Sequence, residues 1–134
     1  MKKTIAKGKD RESVKRELEA LAPSLTLSEL GWIETSESLA VYTFISSSQE
    51  DCVRLSDAAT QALGTTFTEG ARFIVLALTG ESRQLLMKEL TGICPLMERV
   101  QDYGDVAFDF GIREGLGGKV ELMVIEGSHE PLTY

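Results

Sequence analysis

Histidine and cysteine are scarce in this sequence of 134 residues. His129 is its single histidine, and Cys52 and Cys94 are its two cysteines. Two cysteines are too few for a disulfide framework, and one histidine does not complete a four-ligand zinc site. We interpret both cysteines as small buried side chains and His129 as an exposed residue of a polar tail. The sequence therefore predicts neither a metal nor a cofactor.

Long apolar runs are missing as well. No stretch of about 18 apolar residues occurs, so no transmembrane helix is predicted. The charged N-terminus lacks the apolar region of a secretory signal peptide, which makes the cytoplasm the expected location. There is no internal repeat and no linker rich in proline and serine. We therefore expect residues 10–134 to form one domain, of a size that buries a core without disulfides.

Charge is unevenly distributed along the chain, whose formal net charge is −7. Residues 1–16 contain seven basic and two acidic residues, which leaves seven basic and 19 acidic residues, or −12, for the remainder. Residues 1–9 are predicted to be a flexible basic arm. The acidic body repels nucleic acid and attracts basic partners. The alternative is that its charge serves solubility alone.

Periodicity predicts three helices and about five strands. The helices are residues 11–22 after the N-cap Asp10, residues 48–63 and residues 81–90. The strands are a hairpin within residues 31–47, a buried strand at 71–78, and a second hairpin formed by 105–112 and 119–125. Residues 24–30 and 93–100 fit neither pattern. This order indicates an α+β domain with a mixed or antiparallel sheet, its helices packed mainly on one face.

Two features resemble ligand sites only superficially. The glycine-rich segment 115–119 ends in a lysine, but its spacing differs from a phosphate-binding loop and a strand follows it. The carboxylates between Asp102 and Glu114 lack the spacing of a calcium loop. We interpret the first as a tight turn and the second as a solvated strand face, and we assign no catalytic residue.

The remaining candidate is a partner-binding surface on an acidic face of the sheet, formed by residues late in the chain. Asp105, Asp109 and Glu121 are expected on one outward face, with Tyr103 as an aromatic anchor. The predicted partner-binding residues are Asp102, Tyr103, Asp105, Asp109, Glu114 and Glu121. The sequence thus favours a non-enzymatic binding protein (inhibitor, immunity or adaptor type) that recognises a basic partner protein.

Two alternatives stay open. One is a small enzyme or ligand-binding domain that uses Asp105, Asp109 or the glycine-rich loop. The other concerns assembly, because an uncovered edge strand favours self-pairing into a homo-oligomer.

Overall fold

The computed structural model describes residues 2–6, 10–21, 31–33, 36, 38–50, 53–81 and 85–128. Their elements, in chain order, are strand β1 (Lys2–Ala6), helix α1 (Asp10–Leu21), strand β2 (Ser38–Ile45), helix α2 (Arg54–Leu63), strand β3 (Arg72–Thr79), a 3-10 helix (Met87–Ile93), helix α3 (Cys94–Gln101), strand β4 (Val106–Ile112) and strand β5 (Val120–Ser128). The strands form one sheet in the order β1-β2-β5-β3-β4. The predicted α+β class is confirmed.

The sheet is mixed, with β5 at its centre. β5 pairs antiparallel with both β2 and β3, whereas β4 pairs parallel with β3. β3 is a continuous apolar run, and each of its residues after Arg72 is buried. Such a run is typical of a strand that is covered on both faces.

Two hydrophobic clusters cover the two faces. On one face, α2, the 3-10 helix and α3 pack over alternate residues of β3 such as Val75. On the other face, α1 packs over Ile74 and Leu76 through the fully buried Leu18. α2, the 3-10 helix and α3 therefore share one face, as expected, whereas α1 and the helical residues 31–33 lie on the other.

Residues 2–6 form an edge strand, although the sequence assigned them to a flexible arm. β1 pairs antiparallel with β2 in a register that places Lys2 opposite Thr43 and Ala6 opposite Leu39. Backbone hydrogen bonds hold an edge strand, so a high lysine content does not prevent pairing. Lysine is in fact common on edges, where it discourages further association.

The predicted hairpin within residues 31–47 is wrong. Residues 31–33 are helical, and both the N–H and the hydroxyl of Ser36 donate to the Trp32 carbonyl, at 3.0 and 2.7 Å. β2 pairs instead with β1 and β5, which are distant in sequence. The apolar pattern of a short segment does not reveal its partner strand, and here the partner was misassigned.

The predicted hairpin of β4 and β5 is also wrong, because β3 lies between the two strands. The connecting loop therefore crosses the end of β3. There the backbones of Gly80 and Gly117 meet so closely that a Cβ on Gly80 would lie 2.6 Å from the Gly117 carbonyl oxygen. Glycine at position 80 is what permits this crossing.

Helix boundaries differ from the predictions in two places. α2 begins at Arg54 rather than Ser48. Ser48 lies before the helix, where its hydroxyl accepts the Glu50 N–H at 3.1 Å. Within the predicted helix 81–90, residues 85 and 86 are not helical, residues 87–90 belong to the 3-10 helix, and residues 82–84 lie outside the described part of the chain. α3 follows, with Pro95 in its first turn. Thus the ambiguous residues 93–100 are mostly helical.

Several predictions concern single residues or lie outside the described part of the chain. Cys94 is exposed rather than buried, because it begins α3 on the outer side of that helix. Residues 24–30, Cys52 and His129 are outside the described residues. None of the helices in the described residues has the length and apolar character needed to cross a membrane.

Candidate partner-binding site

An apolar groove lies beside the end of β4. Its volume is about 560 Å³. It is lined by Ala20, Leu21, Ala77, Thr79, Leu85, Leu86, Met87, Leu90, Phe110, Gly111 and Ile112. Met87 is 84% exposed, and Leu86, Phe110 and Ile112 are each more than 40% exposed. A contiguous group of exposed apolar side chains beside a groove is a common mark of an interaction surface.

β4 is an edge strand whose alternation separates two kinds of side chain. Phe108 pairs with Val75 and packs against the helical face that α2 and α3 cover. Asp109 pairs with Leu76 and therefore lies towards the α1 face. The predicted separation of Asp109 from the face of Phe108 is thus found in the strand. Phe110 continues the apolar side, where its ring meets that of Phe108 edge-on at 4.9 Å.

The wall of the groove is held by a buried ion pair. Arg54 Nε and Nη2 donate to the two carboxylate oxygens of Glu89 at 2.5 and 2.9 Å, and both side chains have no exposed surface. Glu89 also accepts the Leu86 N–H at 2.7 Å, while Arg54 Nη1 donates to the Gly118 carbonyl at 3.1 Å. This pair joins α2, the groove wall and the glycine-rich loop.

The sequence analysis missed Arg54, although the chain contains a signal for it. Arg54 precedes Ala58 and Ala62 by four and eight residues, which places it on the same buried stripe of α2. A charged residue on a buried stripe indicates a buried partner. The identity of that partner, Glu89, depends on the tertiary structure.

The six predicted partner-binding residues do not form one patch. Asp102 and Asp105 are exposed near the start of β4, whereas Glu114 is exposed beyond its end. The seven residues of β4 separate these two groups by roughly 20 Å. Of the six, Asp109 and Glu114 are the ones nearest in the chain to the groove residues Phe110 and Ile112, because Asp109 precedes Phe110 and Glu114 lies two residues after Ile112.

Tyr103 contributes to packing inside the fold. Its ring meets the Phe67 ring edge-on at 5.7 Å, and the Arg99 guanidinium lies 5.8 Å from its centroid. Tyr103 is half-buried in this arrangement. It is therefore an anchor between α3 and the loop before β3, and only part of its surface is available to a partner.

Glu121 is buried and neutralised. Arg113 donates through Nε to Glu121 and through Nη2 to Glu17 of α1, each at 2.9 Å. Burial lowers the pKa of Arg113, but the two carboxylates outweigh it and hold the pKa above its ordinary value. Glu121 therefore fastens the sheet to α1, and it does not extend an outward acidic face.

The glycine-rich loop has a structural role. Gly115 and Gly117 adopt positive φ angles of 92° and 62°, and the Lys119 N–H donates to the Leu116 carbonyl at 3.1 Å. This geometry makes the tight turn that was expected there. The described residues contain no group of three or more histidine, cysteine or acidic side chains placed to hold a metal ion.

Comparisons with protein-family models and with curated proteins found no match. Among solved structures, an empty FtsZ dimer from M. jannaschii is similar over 87% of this chain and 36% of that one, with a TM-score of 0.55 and 14% identity. A tryptophan-to-tyrosine variant of the same FtsZ is similar over 66% and 28%, with a TM-score of 0.46 and 15% identity. This chain spans about a third of the length of the FtsZ chains. At such identity the likeness shows the fold alone.

Proposed function

We propose that this chain is a small, non-enzymatic, cytoplasmic binding protein, of the inhibitor, immunity or adaptor type, that recognises a basic partner protein. One observation carries the proposal: exposed apolar side chains line a groove beside the end of β4 in a chain with a large excess of carboxylates. Phe110 and Ile112 supply exposed apolar surface, while Asp109 precedes Phe110 and Glu114 lies two residues after Ile112 in the chain. Apolar anchors with complementary charge around them are the usual composition of a specific interface.

The overall charge supports a basic partner. The chain carries a net charge of −7, so long-range attraction brings basic proteins towards it and speeds their association. Asp102 and Asp105 extend the negative potential towards the start of β4. Glu121 has no place in this surface, because Arg113 already neutralises it.

Selection from a displayed library of random peptides tests the proposal. At about 50 mM salt we expect selected peptides that combine apolar residues with lysine or arginine, and we expect weaker binding at about 300 mM salt. Glu114→Gln should weaken binding about threefold. Glu50→Gln removes the same charge from an exposed position that does not line the groove, and it should leave binding unchanged. Selection of acidic or neutral peptides, or of none, would refute the proposal.

A second candidate function is the binding of an apolar small molecule in the same groove. Its volume of about 560 Å³ lies within the usual range of ligand pockets. Neither the predicted carboxylates nor residues 115–119 line this groove. The groove therefore does not support the enzyme or ligand-binding site that the sequence offered at Asp105, Asp109 or the glycine-rich loop. Fluorescence of an apolar dye distinguishes the candidates, because a ligand pocket should bind the dye tightly and lose it when Met87→Glu places a charge at the wall.

A further inference from the structure

We propose that the partner binds as an additional strand on the outer edge of β4, as an extended segment in which apolar residues alternate with lysine or arginine. The inference rests on the proposed function and specifies its mode of recognition. Addition of a strand to a sheet edge uses backbone hydrogen bonds for affinity and alternate side chains for specificity.

The first argument is the position of β4. It is the terminal strand of the sheet order, and among the described residues no strand pairs with its outer side. The Asp105 carbonyl accepts from Phe73, and the Arg113 N–H donates to Thr79. Odd-numbered residues thus direct their backbone groups towards β3. Because these directions alternate along a strand, Phe108, Phe110 and Ile112 direct theirs outward.

The second argument is the contrast between the two faces beside that edge. On one side, Phe110 and Ile112 lie with Leu86 and Met87 along the groove. On the other side lies Asp109, on the face covered by α1. Side chains of an added strand alternate between the same two faces. Every second residue of the partner therefore meets an apolar wall, and a residue between them passes Asp109.

The third argument is the shape of the groove. Its lining includes Leu21 at the end of α1 as well as Met87 on the opposite face of the sheet. Residues of both faces therefore line one space, which passes the edge of β4 at Gly111. A Cβ at Gly111 would collide with the Leu21 carbonyl oxygen, so the position between the two walls holds backbone alone. An extended chain fits this passage better than a helix, whose diameter with side chains is about 10 Å.

Asp109 explains why the partner is basic. Its Oδ1 accepts the N–H of Phe110 at 2.8 Å, and this N–H is one of the groups that point outward. In the unbound protein the Asp109 carboxylate therefore accepts the hydrogen bond of a backbone N–H that an added strand would otherwise use. A lysine or arginine of the partner offers Asp109 a replacement, which releases the Phe110 N–H for pairing. A neutral or acidic strand offers none.

The same carboxylate argues against a second copy of this chain at the edge. Two β4 strands that paired with each other would bring both copies of Asp109 and of Glu114 to one interface. Like charges placed opposite each other destabilise strand pairing. Carboxylates on an edge strand are a common way of preventing self-association.

Synthetic peptides of about eight residues test this mode. The probe alternates lysine with valine, and its control has the same composition with all lysines before all valines. A second control alternates glutamate with valine. We expect the alternating lysine–valine peptide to bind at least tenfold more tightly than either control and to slow amide exchange at Phe108, Phe110 and Ile112.

Two variants test whether the peptide binds beside β4. Asp109→Asn retains an acceptor for the Phe110 N–H but removes the charge, and it should weaken binding about threefold to fivefold. Met87→Glu should weaken it roughly tenfold, which corresponds to about 1.4 kcal/mol. Met87 is 84% exposed, so its substitution does not disturb folding. Glu50→Gln is the control of equal charge.

The outcomes separate this inference from the function on which it rests. If the random library yields basic peptides but the two lysine–valine arrangements bind equally, or protection falls outside β4, strand addition is refuted and the basic partner stands. If the library yields no basic peptide, the proposed function itself fails. If the protein alone forms dimers in which the β4 amides are protected from exchange, a second copy of the chain binds at the edge of β4. The inference is then overturned.

Discussion

Arg54 and Glu89 illustrate how much one buried contact determines at the scale of the residue. Each side chain is fully buried, and their two hydrogen bonds satisfy both charges. Glu89→Leu would leave the Arg54 guanidinium buried without its counter-charge, which should lower the free energy of unfolding by about 3–5 kcal/mol. The double variant Arg54→Met with Glu89→Leu should recover much of this loss. Urea denaturation of the three proteins measures both quantities.

The matched control is an ion pair at the surface. Arg16 and Glu12 are 77% and 64% exposed and lie 3.6 Å apart on α1. Because water screens such a pair, Arg16→Met should change the free energy of unfolding by less than about 1 kcal/mol. A Glu89→Leu protein as stable as Arg16→Met would contradict the proposed role of the buried pair.

Asp57 carries a prediction about pH. The hydroxyl and the N–H of Ser47 donate to its Oδ2 at 2.9 and 2.6 Å, and these bonds lower its pKa below the ordinary value of 3.8. A depressed pKa stabilises the fold above the unfolded value, and this contribution disappears as the pH falls through the folded value. The stability difference between the wild type and Asp57→Asn should therefore be constant above pH 5 and shrink below about pH 3.8.

Denaturation curves collected at several pH values test this prediction. Ser47→Ala is a second variant with a defined expectation, because it removes the hydroxyl donor but retains the backbone donor. Its pH dependence should fall between those of the wild type and Asp57→Asn. A stability difference for Asp57→Asn that is unchanged down to pH 2 would contradict the assignment.

At the scale of the element, the crossing of the glycine-rich loop over β3 depends on Gly80. A methyl group there would lie 2.6 Å from the Gly117 carbonyl oxygen, so one backbone must shift. Gly80→Ala should lower the free energy of unfolding by about 1–3 kcal/mol. Gly64→Ala is the control, since its φ is −77° and its nearest contact is at 3.9 Å. Thermal denaturation that ranks the two variants equally would refute the crossing.

The types of the strongest elements were predictable, and several of their boundaries and partners were not. The apolar run of β3 is buried as expected. The apolar residues of β4 do lie on one side of the sheet, but Phe110 and Ile112 among them are exposed. The hairpins failed because pairing is decided by the whole sheet, in which β5 lies between β2 and β3. Short connections favour hairpins, but here a central position for β5 buries its apolar residues on both sides.

At the scale of the whole molecule, the strand order predicts a gradient of amide exchange. β5 has a neighbour on each side, whereas β1 and β4 are terminal strands. We expect Leu122 and Val124 to exchange most slowly, and outward amides of β4 such as Ile112 to exchange fastest among the strands. Residues 2–6 should show intermediate protection, because they pair with β2. Exchange of these residues at the rate of an unstructured peptide would support a flexible arm instead.

In the candidate site, too, some features follow from the sequence pattern and others depend on the tertiary structure. The sequence selected Asp109 and Glu114 as carboxylates for a partner, and in the chain both lie within two residues of the groove residues Phe110 and Ile112. It also selected Glu121, which the structure buries against Arg113. The alternation of β5 predicts on which face of the sheet Glu121 lies. Whether that face is covered depends on where α1 packs. The groove itself was not predictable, since its walls come from α1, β3, β4, the 3-10 helix and the residues just before that helix.

The sequence by itself determined the α+β class, the buried character of β3 and the separation of apolar from acidic residues along β4. These properties depend on neighbouring residues, whose spacing can be read directly. The tertiary structure alone decided that β5 is central, that Arg54 meets Glu89 and that β4 is an edge strand beside an open groove. Each of these depends on contacts between residues far apart in the chain, and their selection reflects which arrangement buries the most apolar surface while satisfying the buried charges.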